Sequence, residues 1–278
     1  MKIFSFGGGV QSMAVLVLSV QGRLDFTEFL FSNVGNDSEN PKTLAYVENV
    51  AKPYAETHGL KIVEMSRERR LPTQPQTLLQ EVYAEAKYVP IPLYLNGGGP
   101  QKRSCTGKWK IEVVDKYVRK HYGATKNNRI EIGVGISVDE AHRMRTDDPE
   151  RFPYTIKTYP LIDLMMNRKN CVDVINTAGL AIPPKSSCFF CPFKRPSEFV
   201  HMEKEDPELF SKVVDIENMI NEKLSQRDSK HSNRATAYGY LTSAGIPLIE
   251  LVEKSKQQIK IEGFDDDALH CESGYCMT

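Results

Sequence analysis

Two cysteines three positions apart are the residues best suited to chemistry in this chain. Cys188 and Cys191 form a Cys-x-x-Cys pair in the stretch SSCFFCPF. A tight turn at this spacing points two thiolates toward one metal. Two thiolates complete neither a cluster nor a tetrahedral zinc site, so a further ligand has to come from elsewhere. The spacing leaves three interpretations open: a [4Fe-4S] cluster, a Zn²⁺ site and a metal-free dithiol redox pair.

Cys105 is the best candidate for the third metal ligand. It lies at the predicted start of a helix in the stretch KRSCTGKWK, which contains four lysine and arginine residues. Both a helix N-terminus and nearby cations lower a thiol pKa and favour the thiolate. Cys171, by contrast, shares an apolar helical stripe with Ile175 and Ala178, which predicts a packed thiol.

A glycine-rich turn near the N-terminus predicts a phosphate site. Gly7, Gly8 and Gly9 lie between a predicted strand, Lys2–Phe6, and a predicted helix, Ser12–Ser19. Backbone N–H groups in such a turn approach a phosphate closely, and the helix N-terminus adds partial positive charge. The turn has neither the lysine of the Walker pattern nor the Rossmann glycine spacing. A tight turn without a ligand is the alternative interpretation.

The elements that position these residues alternate between strand and helix. Strands are predicted at Lys2–Phe6, Glu28–Ser32 and Lys61–Met65, with a helix between each pair. This alternation predicts an α/β fold whose parallel twisted sheet has helices on both faces. Ligands in such sheets bind at the carboxyl ends of the strands. We expect a nucleotide-binding domain with the cysteine site over residues 1–195 and a smaller helical C-terminal region with a tail over residues 196–278.

Net charge and hydrophobicity argue against two classes of protein, nucleic-acid binders with an extended basic surface and membrane proteins. The chain has 36 basic and 36 acidic side chains and a net charge of zero, which argues against an extended electrostatic grip on nucleic acid. No apolar stretch is long enough to span a membrane, and the N-terminus lacks a convincing signal peptide. We expect a cytoplasmic protein without a membrane partner, in which clustered cysteines are metal ligands or redox groups.

Four motifs, in order along the chain, resemble the PP-loop adenine nucleotide alpha hydrolases, and among them the phosphoadenosine phosphosulfate (PAPS) reductase-like family. The stretch SFGGGVQS is similar to the PP-loop Ser-Gly-Gly-x-Asp-Ser, with Gly7 in place of the first serine and Gln11 in place of the aspartate. The stretch YPL at positions 159–161 precedes the Cys188 knuckle as it does in the family. The resemblance covers roughly residues 2–195.

This resemblance implies a site for ATP or a related adenylate with Mg²⁺. Asn33 and Asp37 occupy the position of an Asp-Thr-Gly-like loop beside the nucleotide; an ordinary turn before the helix at Pro41 is the alternative. Arg143 lies in a stretch similar to Gly-x-Arg…Glu-Ser-x-x-Arg and is the candidate anion ligand, with a solvated helix face as the alternative. The candidate nucleotide-binding residues are Ser5, Gly7, Gly8, Gly9, Gln11, Ser12, Asn33, Asp37, Gly133 and Gly135.

The three-cysteine set resembles that of the iron–sulfur ATP-dependent thiolases, which implies a [4Fe-4S] cluster on Cys105, Cys188 and Cys191. In the Zn²⁺ alternative, a tail cysteine completes a closed structural site. Cys271 and Cys276 are loosely similar to the Glu-Cys-Gly tail of PAPS reductases, whose cysteine attacks sulfur, and are candidate catalytic residues; an incidental tail is the alternative.

The expected reaction is adenylation of an acceptor, with release of pyrophosphate, followed by sulfur transfer and release of AMP. The expected partners are a small-molecule or nucleic-acid acceptor and a protein that donates sulfur or electrons. The sequence leaves homo-oligomerisation open. The two rival functions are a reductase of phosphoadenosine or adenosine phosphosulfate and a zinc-stapled nucleotide-binding module without chemistry.

Overall fold

The computed structural model describes residues 2–69, 71–85, 88–95, 99–226 and 238–257. Contacts within the chain divide these residues into two compact units. The first unit holds the described residues up to Leu78 and those from Thr106 to Cys188. The second holds those from Leu79 to Cys105 and from Phe189 onward. The domain boundary predicted between residues 195 and 196 stays a prediction, because a grouping by contacts does not test independent folding.

Seven strands are described. In chain order they are β1 (Lys2–Ser5), β2 (Phe26–Ser32), β3 (Lys61–Met65), β4 (Tyr94–Leu95), β5 (Ile130–Val134), β6 (Thr155–Thr158) and β7 (Gly239–Tyr240). Five of them form one sheet in the order β3-β2-β1-β5-β6, and every neighbouring pair in it is parallel. Parallel pairing needs a crossover between successive strands, which the strand–helix alternation provides. The predicted α/β class with a parallel sheet and helices is confirmed.

The helices vary in type as well as in length. The α-helices are α1 (Val10–Val20), α2 (Pro41–Tyr46), α3 (Lys52–Thr57), α4 (Leu78–Tyr83), α5 (Ser104–Thr106), α6 (Glu112–Tyr122), α7 (Pro160–Asp163), α8 (Arg168–Thr177), α9 (Pro196–Glu205), α10 (Pro207–Ser225) and α11 (Leu248–Gln257). π-Helical turns at Val47–Ala51 and Gly107–Ile111 join α2 to α3 and α5 to α6. A 3₁₀ helix, Val138–Arg143, follows β5.

Two separate apolar clusters lie on the two faces of the parallel sheet. Successive side chains of a strand point to opposite faces, and Ile3 and Phe4 accordingly belong to different clusters. The Phe4 cluster contains the apolar side chains of α1 and Cys171 and Ile175 of α8. The Ile3 cluster contains three valines of α6. By the same alternation, Ser5 points toward the α6 face of the sheet.

The second unit contains α9, α10 and α11 together with an antiparallel pair of short strands, β4 and β7. Glu217 of α10 organises this unit although it is only 1% exposed. Its carboxylate accepts hydrogen bonds from the backbone N–H of Leu241 at 3.2 Å and of Leu248 at 2.9 Å. One side chain therefore ties α10 both to the start of α11 and to the residue after β7. A separate helical C-terminal region over residues 196–278 stays a prediction.

None of the helices in the described residues combines the length and the apolar character needed to cross a bilayer.

Candidate functional site

The carboxyl ends of β1, β2 and β5 meet at one edge of the sheet, and the predicted glycine turn lies there. Gly7–Gly9, hereafter the glycine loop, joins β1 directly to α1. Phe6, the residue between strand and loop, donates its backbone N–H to the carbonyl of Leu30 at 2.9 Å. The loop is therefore fixed to the sheet at the position where parallel α/β proteins bind ligands.

The surroundings of the three glycines of the loop differ in how much space they leave for a side chain. Gly8 has a φ of +74°, and a Cβ built on it would lie 3.0 Å from Thr43 Cγ2 and 3.1 Å from Val47 Cγ2. A Cβ on Gly9 would lie 2.7 Å from Ser186 Oγ. Among the described residues other than its chain neighbours, an added Cβ on Gly7 would have only Ser186 Oγ within 4 Å, at 3.9 Å. Packing explains Gly8 and Gly9, whereas Gly7 alone presents open space in which a phosphate could approach the backbone.

The Gly8→Ala variant is expected to lose about 2–4 kcal/mol of unfolding free energy, from left-handed backbone strain and from overpacking against Thr43. Gly22 provides a matched control, since its φ is +70° but no atom lies within 4 Å of an added Cβ. Gly22→Ala should cost only the strain, about 1–2 kcal/mol. Urea unfolding of both variants measures the difference. Equal losses in the two variants would show that the Thr43 contact has no energetic weight.

Ser12 is committed to the helix rather than presented to a ligand. Its hydroxyl donates to the Gly9 carbonyl at 2.9 Å and accepts from the Gly9 N–H at 3.0 Å, which fixes the first turn of α1. A hydroxyl has one proton to donate, so a phosphate bond from Ser12 requires the Gly9 bond to break. The hydroxyl nearest the open side of the loop is that of Ser186, which the sequence did not single out.

The segment before the cysteine knuckle lies along this edge of the sheet. The carbonyl of Ser187 accepts from the Asn40 N–H at 3.2 Å, and Cys188 forms an isolated antiparallel bridge with Glu39. Glu39 is 2% exposed, and its carboxylate lies 3.3 Å from Lys110 Nζ. Cys188 is thus tied to the loop after β2, only two residues beyond Ser186.

Asn33 holds the shape of that loop through its own side chain. Its amide donates to Asn36 Oδ1 and to Glu64 Oε1, both at 2.8 Å, and its Oδ1 accepts from the Gly35 N–H at 2.8 Å. A contact between Asn33 and a nucleotide stays a prediction. If the side-chain N–H groups of Asn33 make this contact, their hydrogen bonds to Asn36 and Glu64 have to break. The cap of α2 is Asn40, whose side chain accepts from the Lys42 N–H.

Asp37 also has partners within the loop. One carboxylate oxygen accepts from Ser38 Oγ and the other from Thr77 Oγ1, both at 2.8 Å. A carboxylate oxygen has further lone pairs, so these bonds leave acceptor capacity for a Mg²⁺-bound water. The role of Asp37 at a metal–phosphate stays a prediction.

The loop after β5 packs against α1. The Gln11 side chain donates to Ser137 Oγ at 3.5 Å and accepts from the Arg168 guanidinium at 3.4 Å, so it links the start of α1 to two other elements. A Cβ on Gly135 would lie 3.4 Å from Gln11 Cβ, and one on Gly133 would lie 2.5 Å from Phe26 Cζ. Close packing therefore accounts for both glycines, and their contact with a nucleotide stays a prediction.

Arg143 is the last residue of the 3₁₀ helix that follows β5. Its guanidinium is 2.6 Å from Glu140 Oε2, and both side chains are about nine-tenths buried. The Glu140 carboxylate neutralises this cation locally, so an incoming anion has to compete with it. The proposed catalytic contact of Arg143 stays a prediction.

A cavity of about 50 Å³ opens at the strand ends, on the α6 face of the sheet. We call it the strand-end cavity; it is lined by residues of the glycine loop, of four strands and of the first turns of α6, including Ser5, Gly7, Ser32, Asp115, Val134 and Lys157. Burial raises the pKa of Asp115 to about 6. Burial, and then the charge of Arg151, lower the pKa of Lys157 to about 8. Two ionisable groups with shifted pKa values at a cavity are typical of a ligand site.

The described cysteines lie in different surroundings. Cys171 is fully buried in the α1–α8 cluster, and burial raises the pKa of its thiol to about 12, which confirms the predicted packing role. Cys105, Cys188 and Cys191 are half-buried. Cys188 belongs to the first unit and the other two to the second. Cys271 and Cys276 lie outside the described residues.

Within the described ranges, no group of three or more histidine, cysteine, aspartate or glutamate side chains lies close enough to hold a metal ion. Three thiols suit iron or zinc by their chemistry. The cluster on Cys105, Cys188 and Cys191 stays a prediction.

A scan against protein-family models and searches of curated proteins and of solved structures return no match. Membership of the PP-loop family therefore stays a prediction carried by the motifs.

Proposed function

We propose that this chain is an enzyme that binds ATP at the glycine loop and uses it to activate an acceptor for sulfur transfer. The observation that carries this proposal is the open side of Gly7, which borders the strand-end cavity at the carboxyl end of a parallel sheet. The N-terminus of α1, eleven residues long, lies directly behind it and favours negative charge. A triphosphate is the ligand that uses both features.

In the proposed reaction an acceptor oxygen attacks the α-phosphorus of ATP. The bond between the α-phosphorus and the bridging oxygen breaks, and pyrophosphate leaves with the electron pair. The N–H groups of the glycine loop stabilise the charge that develops on this leaving group. A sulfur nucleophile then attacks the activated atom of the acceptor. The bond between that atom and its oxygen breaks, and AMP leaves with that oxygen and the electron pair.

Support for sulfur chemistry comes from the position of Cys188. Ser186 borders the glycine loop, and Cys188 follows two residues later, bridged to Glu39. A half-buried thiol this near the glycine loop supports sulfur chemistry at the same edge of the sheet. The [4Fe-4S] cluster and the tail cysteines remain proposals for how the sulfur is supplied.

The products of ATP turnover test this proposal. The protein is incubated anaerobically with Mg²⁺, α-labelled ATP, sulfide and pooled RNA or small metabolites as acceptors. We expect label in AMP together with an equal amount of pyrophosphate, and no formation of these products by Gly7→Ala. Formation of ADP and phosphate, or intact ATP with every acceptor pool, would contradict the proposed enzyme class.

A further inference from the structure

Lys157 of β6 is a half-buried lysine that lines the strand-end cavity. Within the described residues its ammonium forms no hydrogen bond and no ion pair, and it lies 3.8 Å from the centroid of the Phe152 ring. Unlike Ser32 Oγ, which is buried without a partner, the ammonium retains accessible surface. An ammonium has three hydrogen-bond donors, and a buried lysine is almost always paired. These donors are therefore available to a ligand.

The charges around Lys157 favour an anion at this cavity. Six charged side chains act on one another here, namely the four cations Lys157, Arg119, Arg145 and Arg151 and the two carboxylates Glu112 and Asp115. Asp115 attracts the ammonium without coming within ion-pair distance of it. Burial, and then the charge of Arg151, lower the pKa of Lys157 to about 8. An anion bound beside the ammonium opposes both causes.

The size and the walls of the cavity limit which anion can enter. A cavity of about 150 Å³ holds a benzene molecule, and a water molecule takes up about 30 Å³ of the liquid. At about 50 Å³ the cavity has room for roughly one or two groups of the size of water, which excludes phosphate and sulfate. Val114, Ile132 and Val134 provide apolar wall, which does not replace the water of a strongly hydrated ion. A weakly hydrated anion with one heavy atom fits both limits.

We propose that Lys157 binds hydrosulfide at the β6 end of the strand-end cavity and so holds the sulfur nucleophile beside the nucleotide site. This inference rests on the proposed function, because sulfur transfer is what requires a sulfur anion here. Gly7 borders the same cavity but follows β1, which lies two strands from β6, roughly 10 Å at about 4.8 Å per strand. The nucleotide phosphates and the sulfur anion therefore occupy separate ends of one cavity.

The transfer step balances with hydrosulfide as the nucleophile. Its sulfur forms the bond to the activated atom of the acceptor, and the bond between that atom and its oxygen breaks. AMP leaves with the oxygen and the electron pair, and the proton stays on the sulfur of the product.

Bromide, a weakly hydrated anion of one atom, tests the site without turnover. The protein is labelled with ¹³C-lysine, and its ε-carbon signals are followed by NMR while bromide replaces sulfate at constant ionic strength. We expect one lysine signal to respond saturably, because a bound anion raises the pKa of Lys157 from about 8 toward its ordinary 10.5. The response should be absent from Lys157→Met and retained in Lys169→Met, at an exposed position of α8.

Turnover with hydrosulfide tests the identity of the anion. Loss of a hydrogen bond to a charged group corresponds to roughly a 10- to 100-fold loss in affinity. The KM for hydrosulfide should rise by that factor in Lys157→Met, while the Kd for ATP stays within about threefold of the wild type. Bromide should compete with hydrosulfide in the wild type and in Lys169→Met.

The outcomes separate this inference from the proposed function. Absence of a bromide-responsive lysine signal in the wild type, or an equal response to sulfate, overturns the inference and leaves the proposed function intact. An unchanged KM for hydrosulfide in Lys157→Met does the same. Bromide binding by a protein that forms no AMP and pyrophosphate with any acceptor overturns the proposed function, and with it the assignment of hydrosulfide to this site.

Discussion

Gly7→Ala is expected to weaken ATP binding more than about 100-fold and to leave the unfolding free energy nearly unchanged. Gly7 is not among the glycines with left-handed φ. In the described part of the chain, apart from its own neighbours, an added methyl group would meet Ser186 Oγ alone, at 3.9 Å, an ordinary van der Waals distance. The methyl group would lie on the open side of the loop, where it keeps a phosphate oxygen away from the backbone N–H groups. Loss of two bonds to a charged oxygen accounts for the size of the effect.

The contrast with Gly8 separates binding from folding. Gly8→Ala should reduce stability because its methyl group meets Thr43 and Val47, whereas Gly7→Ala should reduce affinity alone. Calorimetric titration with ATP gives the affinity of each variant, and urea unfolding gives the unfolding free energy of each. An ATP affinity of Gly7→Ala within about threefold of the wild type, less than 1 kcal/mol, would remove the glycine loop from the binding site.

Glu217→Ala is expected to cost the second unit about 3–5 kcal/mol of unfolding free energy. The substitution leaves the backbone N–H groups of Leu241 and Leu248, both now bonded to the carboxylate, buried without acceptors. Each such group costs about 1–3 kcal/mol, and the cavity left by the side chain adds to this. Guanidinium unfolding and hydrogen exchange at the two amides measure the effect. A loss below about 1 kcal/mol would show that water replaces the carboxylate at no cost.

The same residue gives a pH dependence with a defined sign. Burial raises the pKa of Glu217 above its ordinary value of 4.5, although the two backbone hydrogen bonds lower it in part. Because the folded pKa lies above the unfolded one, the folded state retains the proton longer. The contribution of Glu217 to the free energy of unfolding is therefore most favourable below pH 4.5, and it decreases as the pH rises through the raised pKa. Glu217→Gln, which does not ionise, should lack this part of the pH dependence.

Periodicity and turn residues were sufficient to predict the first three strands of the five-stranded sheet. The strand expected at Lys61–Met65 is β3 with the same bounds, and the strand expected at Glu28–Ser32 begins two residues earlier, at Phe26. Gly123 has a φ of +63° at the end of α6, the left-handed conformation in which glycine commonly ends a helix. These features depend on neighbours along the chain, which a sequence displays directly. The π-helical turn before α6 and the 3₁₀ helix that bears Arg143 were not anticipated.

The site was predictable in position but not in detail. The strand–glycine–helix junction located the glycine loop, yet the reasons for Gly8 and Gly9 are contacts with Thr43 and Ser186, which lie far away in the sequence. From the sequence alone, Asp115 is expected to be an ordinary exposed polar residue of an amphipathic helix. Only the packing of α6 against the sheet buries its carboxylate at the strand-end cavity, and no local pattern encodes that burial.

Titration of the wild-type protein with Mg²⁺-ATP by calorimetry tests the central claim most directly, namely that the glycine loop and the strand-end cavity form one nucleotide site. The account predicts saturable binding of one ATP per chain, dependent on Mg²⁺ and displaced by pyrophosphate, which occupies the glycine loop alone. ATP binding that pyrophosphate does not displace would place the nucleotide elsewhere, and absence of binding would contradict the account as a whole.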